Sequence, residues 1–273
     1  RWNFQVTLTL SCYLMGAMMG FVDDFAKIHA KNSRGIPGRM KLLIQLLLTI
    51  GITIAIRYQP DFYAKYCTLP IPFSNCIWTI TSLGIFIIFL FLVLGGSSNA
   101  VNLTDGLDGL VTKCSIPVLL FLAMATISTG SVTLSAFLHL PHISGNGELA
   151  VICMAILGTL VIFQWHNGYP ATIFMGDTGS LSLGMLMGMV GFLSGLPFHF
   201  AIAGGIFVLE ALSDIIQVLS FKYLNGRRIF KMAPIHHHFE LSGLHEVKIT
   251  ERFGILSWLF SLFGIMGFGQ FFH

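Results

Sequence analysis

Charge is what this sequence has least of. Only 10% of its 273 residues are Asp, Glu, Lys or Arg, while 55% are hydrophobic and the mean hydropathy is +0.80. A soluble domain carries about 25% charged residues, so a water-soluble globule is excluded. The apolar runs also lack the polar alternation that a membrane β-barrel requires, since lipid-facing and lumen-facing side chains alternate along each barrel strand. No cleavable signal peptide is visible. The chain starts at Arg1 rather than Met, which reads as a lost natural start. The five cysteines say little. Cys12, Cys114 and Cys153 fall in or beside apolar runs, where a thiol behaves as a small hydrophobe. Cys67 and Cys76 share one loop and are read as two free thiols.

What is present is a series of apolar runs matched to a bilayer, whose roughly 30 Å core takes about 20 helical residues. The expectation is all-α: a polytopic membrane bundle of about eight transmembrane helices in a single domain. The spans are placed at 4–22, 42–57, 76–95, 111–130, 148–166, 180–196, 199–223 and 253–272. Twelve of the fifteen Lys and Arg residues then fall on one side, with Arg1, Arg57 and Lys65 on the other. By the positive-inside rule the crowded side is cytoplasmic. That placement explains the pI near 8.6 without any nucleic-acid partner. Most carboxylates sort to the same side, in polar segments at 23–41, 96–112, 165–180 and 223–252, so the working face is expected to be cytoplasmic.

Four stretches carry the chemistry. In GFVDDFAKI, Asp23 and Asp24 sit where the first span ends, and neighbours on a helix point about 100° apart, so their jobs must differ. In SSNAVNLTDGLDGLVTK, Asn99, Asn102, Asp105 and Asp108 recur every three residues, on one side of a helical turn or along one loop. Such groups suit a hard cation, or the hydroxyl and imide groups of a sugar or base. In HNGYPATIFMGDTGSLSLG, Gly176 to Gly179 reads as a tight loop opening a helix, whose free N–H groups favour an anion; capping by Asp177 or Thr178 is the plainer alternative. In APIHHHFELSG, consecutive histidines diverge too far for zinc, so His236, His237 and His238 are read as phosphate donors beside Arg227, Arg228 and Lys231. Glu210, Asp214 and Gln217 share a stripe of the seventh span, and intramembrane carboxylates are usually paired or functional. Acids for a divalent cation, donors for phosphate and a membrane setting are ingredients of phosphoryl transfer to a lipid.

These four motifs, in this order over essentially the whole chain, resemble the polyprenyl-phosphate N-acetylhexosamine-1-phosphate transferases. The PIHHHFE run resembles the muramoyl-pentapeptide branch of that family, and the GlcNAc-1-phosphate branch is the alternative. The resemblance implies transfer of phospho-MurNAc-pentapeptide from its UDP carrier to undecaprenyl phosphate, with Mg²⁺, giving UMP and lipid I at the cytoplasmic face of the bacterial inner membrane. It implies Asp177 as metal ligand, and Asp23, Asp24, Asp105, Asp108 and the three histidines as catalytic residues. It gives substrate-binding roles to Asn102, Gly106, Leu107, Asn167, Phe174, Gln217 and Ala233, with Lys27, Lys31 and Lys41 on phosphates or the lipid head group. Homodimers are a further family expectation. The family has ten spans, so two N-terminal ones are expected to be missing here. A cation-coupled transporter, the alternative from another class, requires carboxylates near mid-membrane on several helices, and only Glu210 and Asp214 come close.

Overall fold

The computed structural model describes residues 2–30, 35–224 and 226–268. Its long helices are α1 (Phe4–Ala30), α2 (Gly38–Arg57), α4 (Leu83–Thr104), α5 (Leu110–Gly130), α7 (Gly147–Asn167), α8 (Gly176–Leu193), α10 (Gly205–Tyr223) and α12 (Glu246–Met266). Short helices α3 (Pro60–Tyr66), α6 (Val132–Phe137), α9 (Pro197–Ala203) and α11 (Ile235–Glu240) fill the connections. The strands β1 (Thr68–Pro70) and β2 (Ile77–Thr79) pair antiparallel, with Leu69 opposite Trp78.

The organising element is α8. Every residue from Ser180 to Leu193 is buried, whereas α7 leaves Val151, Met154, Val161, Ile162 and Trp165 exposed on a lipid-compatible face. Flanking it are α1 and α4. On α1, Gly16 and Gly20 lie four residues apart, and a Cβ at Gly16 would come within 2.8 Å of the Ser182 Cα. One at Gly20 would strike the Asp177–Thr178 backbone. Small residues at this spacing let membrane helices approach closely. From the other side, Ser97 Oγ donates to the Gly184 carbonyl at 2.9 Å and Ser98 Oγ to that of Leu181 at 3.1 Å. This tight sandwich sets the end of α1 and the end of α4 against the start of α8.

The span expectations need three corrections. Six helices among the described residues are long and apolar enough to cross a membrane, or seven if a bent pair counts as one. The missing one is α8: surrounded by protein rather than lipid, it can carry Gly, Ser and Asp that a lipid-facing span would avoid. The long seventh span is broken, α9 and α10 meeting at 81°. The break falls at Gly204–Gly205, where a Cβ on Gly205 would lie 2.7 Å from the Phe260 ring. The third span starts at Leu83, not 76, because Ile77–Thr79 is a strand and Ser82 caps the helix by accepting from Ile85 N at 3.2 Å. The shift carries α4 through Thr104, so Asn99 and Asn102 stand on a helix rather than in a loop.

The C-terminal ends of α1, α4 and α7 meet the N-terminal ends of α2, α5, α8 and α12 at one end of the bundle, and Glu210, in the N-terminal half of α10, meets His236 of α11. At the other end lie α3 and the hairpin. There His199 on α9 contacts the Gly267 carbonyl at 2.9 Å. All five cysteines are free, Cys67 and Cys76 included.

Candidate active site

Three carboxylates converge at the first end. Asp23 and Asp24 on α1 and Asp177 on α8 can each place one oxygen so that all lie within 4.8 Å of one another. Their jobs differ, as their positions on the helix require. Asp23 is buried; its Oδ1 accepts from Ile36 N at 2.6 Å, tying the turn before α2 to α1. Asp24 Oδ2 accepts from Thr178 N at 3.0 Å and from Thr178 Oγ1 at 2.9 Å. It thereby supplies the negative charge that a helix N-terminus favours. The start of α8 is therefore occupied by a carboxylate of the protein itself, which corrects the expectation of amides free for a bound anion.

Two ammonium groups bridge the trio. Lys27 Nζ lies 2.6 Å from Asp23 Oδ2 and 3.0 Å from Asp177 Oδ2, and Lys41 Nζ lies 3.1 and 2.9 Å from the same oxygens. Asn102 Nδ2 donates to Asp177 Oδ1 and to Ser180 Oγ, both at 2.9 Å. Three carboxylates this close repel strongly unless cations sit among them. The set is all hard oxygen donors, which fits a hard divalent cation, and the lysines already supply positive charge to the same oxygens. Lys31 lies outside the described residues.

Asp105 follows the last residue of α4 and faces this cluster. Burial, then the nearby Asp177 and Asp24 charges, push its carboxyl up to about 7, while a bond from the Gly176 backbone acts the other way. The adjacent Gly106 faces the opposite group, because a Cβ there would land on His236 Nε2. The Asp105–Gly106 step thus joins the carboxylate cluster to the histidine segment.

The three histidines do not form one donor surface. His236 is buried with Nδ1 3.0 Å from Glu210 Oε2. The His237 ring packs against it at a tilt of 54°, centroids 4.2 Å apart, and pairs with the exposed Glu240 at 2.9 Å. His238 Nδ1 accepts from Lys231 N at 3.1 Å and so braces its own loop. Consecutive residues on the short helix α11 must diverge, and His236 is the one that reaches the loop ahead of α5, at Gly106.

Several other expected site residues brace loops. Asp108 Oδ2 accepts from Ala171 N at 2.9 Å, while its own N–H donates to Glu246 at 2.6 Å. Asn167 Oδ1 accepts from Thr112 at 3.0 Å, and its Nδ2 donates to the Ile173 carbonyl at 2.9 Å. Gln217 pins the 229–230 segment by accepting from Ile229 N at 3.1 Å and Phe230 N at 3.0 Å, and donating to the Phe230 carbonyl at 2.8 Å. These three fix the geometry of the rim, and their polar atoms are engaged there. Leu107 is buried, Phe174 is exposed, and Ala233 precedes the proline that opens α11. Sequence reasoning puts Ser180 on the same connection as Asn167 and Asp177 without giving it a role, and it does not single out Glu246. Glu246 shows itself only as an acid in the first turn of α12, and its long-range bond to Asp108 has no local signal.

A helical bundle with carboxylates, lysines and histidines gathered at one end is a multi-pass membrane protein with a candidate active site, and its likeness to known proteins makes it a transferase. Residues 6–195 match the family described as Glycosyl transferase family 4, and the chain belongs to that family. Its relatives narrow the likeness further. It is 46% identical over 256 residues to a protein of Methylacidiphilum infernorum named phospho-N-acetylmuramoyl-pentapeptide-transferase, covering 94% of this chain and 69% of that one. A protein of the same name from Citrifermentans bemidjiense is 46% identical over 265 residues, covering 96% of this chain and 72% of the relative. One from Thermodesulfovibrio yellowstonii is 44% identical over 266 residues, covering 97% and 73%.

Proposed function

We propose that this enzyme transfers phospho-N-acetylmuramoyl-pentapeptide from UDP to undecaprenyl phosphate at the cytoplasmic face of the inner membrane. The observation that carries the reading is the carboxylate–lysine cluster of Asp23, Asp24, Asp177, Lys27 and Lys41 at one end of the bundle. The relatives' shared name supports the substrate. A lipid phosphate oxygen attacks the sugar-bearing phosphorus of the nucleotide, the bond from that phosphorus to the oxygen bridging the two phosphates breaks, and UMP leaves with the bridging oxygen. An ionised lipid phosphate needs no proton removed, so the main barrier is repulsion between anions, and positioned positive charge lowers it.

Asp23, Asp24 and Asp177 would hold Mg²⁺, which supplies charge neutralisation and polarises the phosphoryl oxygens. Lys27 and Lys41 then face phosphate as point charges. Asn102 keeps Asp177 oriented. Asp105 and Gly106 sit beside the nucleotide, and His236 and His237 beside the diphosphate or sugar. Asp108, Asn167 and Gln217 hold the rim around them.

The test compares UDP-MurNAc-pentapeptide with UDP-GlcNAc as donor to undecaprenyl phosphate, using detergent-solubilised protein with Mg²⁺ or EDTA. Turnover of the first donor alone, abolished by EDTA, is expected. Turnover of UDP-GlcNAc alone would move the enzyme to the GlcNAc-1-phosphate branch.

A further inference from the structure

Glu210 lies on α10, inside the bundle, where an ionisable side chain is expensive and usually functional. Both it and His236 on α11 have fully buried side chains, and His236 Nδ1 meets Glu210 Oε2 at 3.0 Å. Each partner keeps one further buried atom without a hydrogen-bond partner among the described residues: Glu210 Oε1 and His236 Nε2. A carboxylate at this depth makes no sense as a solvated charge, and no Lys or Arg pairs with it among the described residues. With the carboxylate as acceptor, the proton in this bond sits on Nδ1 and the other ring nitrogen is turned the opposite way.

That other nitrogen is placed at the loop before α5. His236 Nε2 occupies the space a Cβ would take on Gly106, the residue after Asp105, whose carboxyl faces Asp177 and Asp24. The imidazole therefore reaches the residue next to Asp105. The His237 ring packs against it at a tilt of 54°. Without a fixed Nδ1 partner the ring has no polar contact to set its flip state.

We propose that Glu210 is a positioning residue. It holds His236 with Nδ1 protonated, so that Nε2 is the atom offered to the nucleotide-sugar at the Asp105–Gly106 step. This deepens the function proposed above and rests on it. Glu210 does not itself reach substrate; it acts through His236.

The experiment prepares wild type, Glu210→Ala, Glu210→Gln, His236→Ala and the double variant Glu210→Ala/His236→Ala. Turnover is measured with the muramoyl donor, and the protein's histidines are ¹⁵N-labelled for NMR in detergent. Glu210→Ala is expected to lower kcat by about 10- to 100-fold, the range for removing a group that orients a functional imidazole. Glu210→Gln keeps an oxygen for Nδ1–H and recovers part of that loss. In the His236→Ala background, Glu210→Ala has no further effect. The NMR signature of a buried, Nδ1-protonated imidazole, absent from His236→Ala, disappears in Glu210→Ala and persists in Glu210→Gln.

Losses that multiply across the double variant would overturn the proposal, as would a tautomer unchanged in Glu210→Ala. The spectrum is read without turnover, so a wild type that ignores the muramoyl donor refutes the function proposed above while leaving this pairing tested on its own.

Discussion

Truncating Asp24 separates two contributions that one carboxylate makes. Its Oδ2 accepts both the Thr178 N–H and the Thr178 hydroxyl at the start of α8, and the side chain is 30% exposed. A hydrogen bond to a charged group is worth about 1.5–3 kcal/mol net when buried, and charge at a helix N-terminus about 0.3–1 kcal/mol. Partial solvent access discounts both, so Asp24→Ala should cost about 2 kcal/mol. Asp24→Asn keeps an oxygen for Thr178 and loses only the charge, for about 1 kcal/mol or less. For a chain of this size each kcal/mol shifts melting by about 2–4 °C, so Ala should lower the melting temperature by about 4–8 °C and Asn by roughly half that or less. Both remove one carboxylate from the trio, so both should cut turnover by about 100-fold or more. Thermal melting in detergent and turnover are measured on the same preparations. Equal melting losses in the two variants would refute the capping argument. Full turnover in Asp24→Asn would remove this carboxylate from the chemistry.

Three further outcomes test other parts of the site. In the metal-free protein Asp105 is pushed up to about 7, so it is largely protonated at pH 6 and largely ionised at pH 8. The stability sign follows: the folded state keeps a proton that the unfolded chain releases near 3.8, so this group makes the metal-free protein less stable as pH rises from about 4 to 7, and chemical denaturation across that range should show the trend fade in Asp105→Asn. Gly106→Ala puts a methyl where His236 Nε2 sits; at about 1–3 kcal/mol of overpacking, turnover should fall far more than melting temperature, and an unchanged rate would show that the ring is not needed there. Lys41→Met removes one of the two ammonium links between Asp23 and Asp177, leaving Lys27 as the other, and so leaves the carboxylates short of one cation; Mg²⁺ should raise its melting temperature more than it raises that of wild type.

The legible part of the sequence was the part written locally. Long apolar runs give helices long enough to cross a bilayer, because that depends on short-range chemistry. The Asp-Asp pair at 23–24 announced two roles through helical geometry, and Asp23 and Asp24 do divide their work between the turn before α2 and the start of α8. What stayed hidden depends on contacts far apart in the chain. Full burial of α8 explains its modest hydropathy, yet nothing in 176–193 says that protein rather than lipid will surround it. Three adjacent histidines suggested one surface, and only their partners, Glu210, Glu240 and the Lys231 amide, reveal three directions. Asp108, Asn167 and Gln217 carry the polar chemistry of a binding site and spend it on neighbouring backbone. A stretch such as Ile77–Thr79 reads equally well as the start of a span or as a strand, and the partner strand decides.

The central claim is transfer of a phosphorylated sugar, and the nucleotide left behind reports it most directly. Solubilised protein is incubated with UDP-MurNAc-pentapeptide, undecaprenyl phosphate and Mg²⁺, and the released nucleotide is identified by chromatography. UMP, appearing only when the lipid is present, is the predicted product, because the bond from the sugar-bearing phosphorus to the bridging oxygen breaks. UDP would mean that the sugar moves without its phosphate, and would contradict the account.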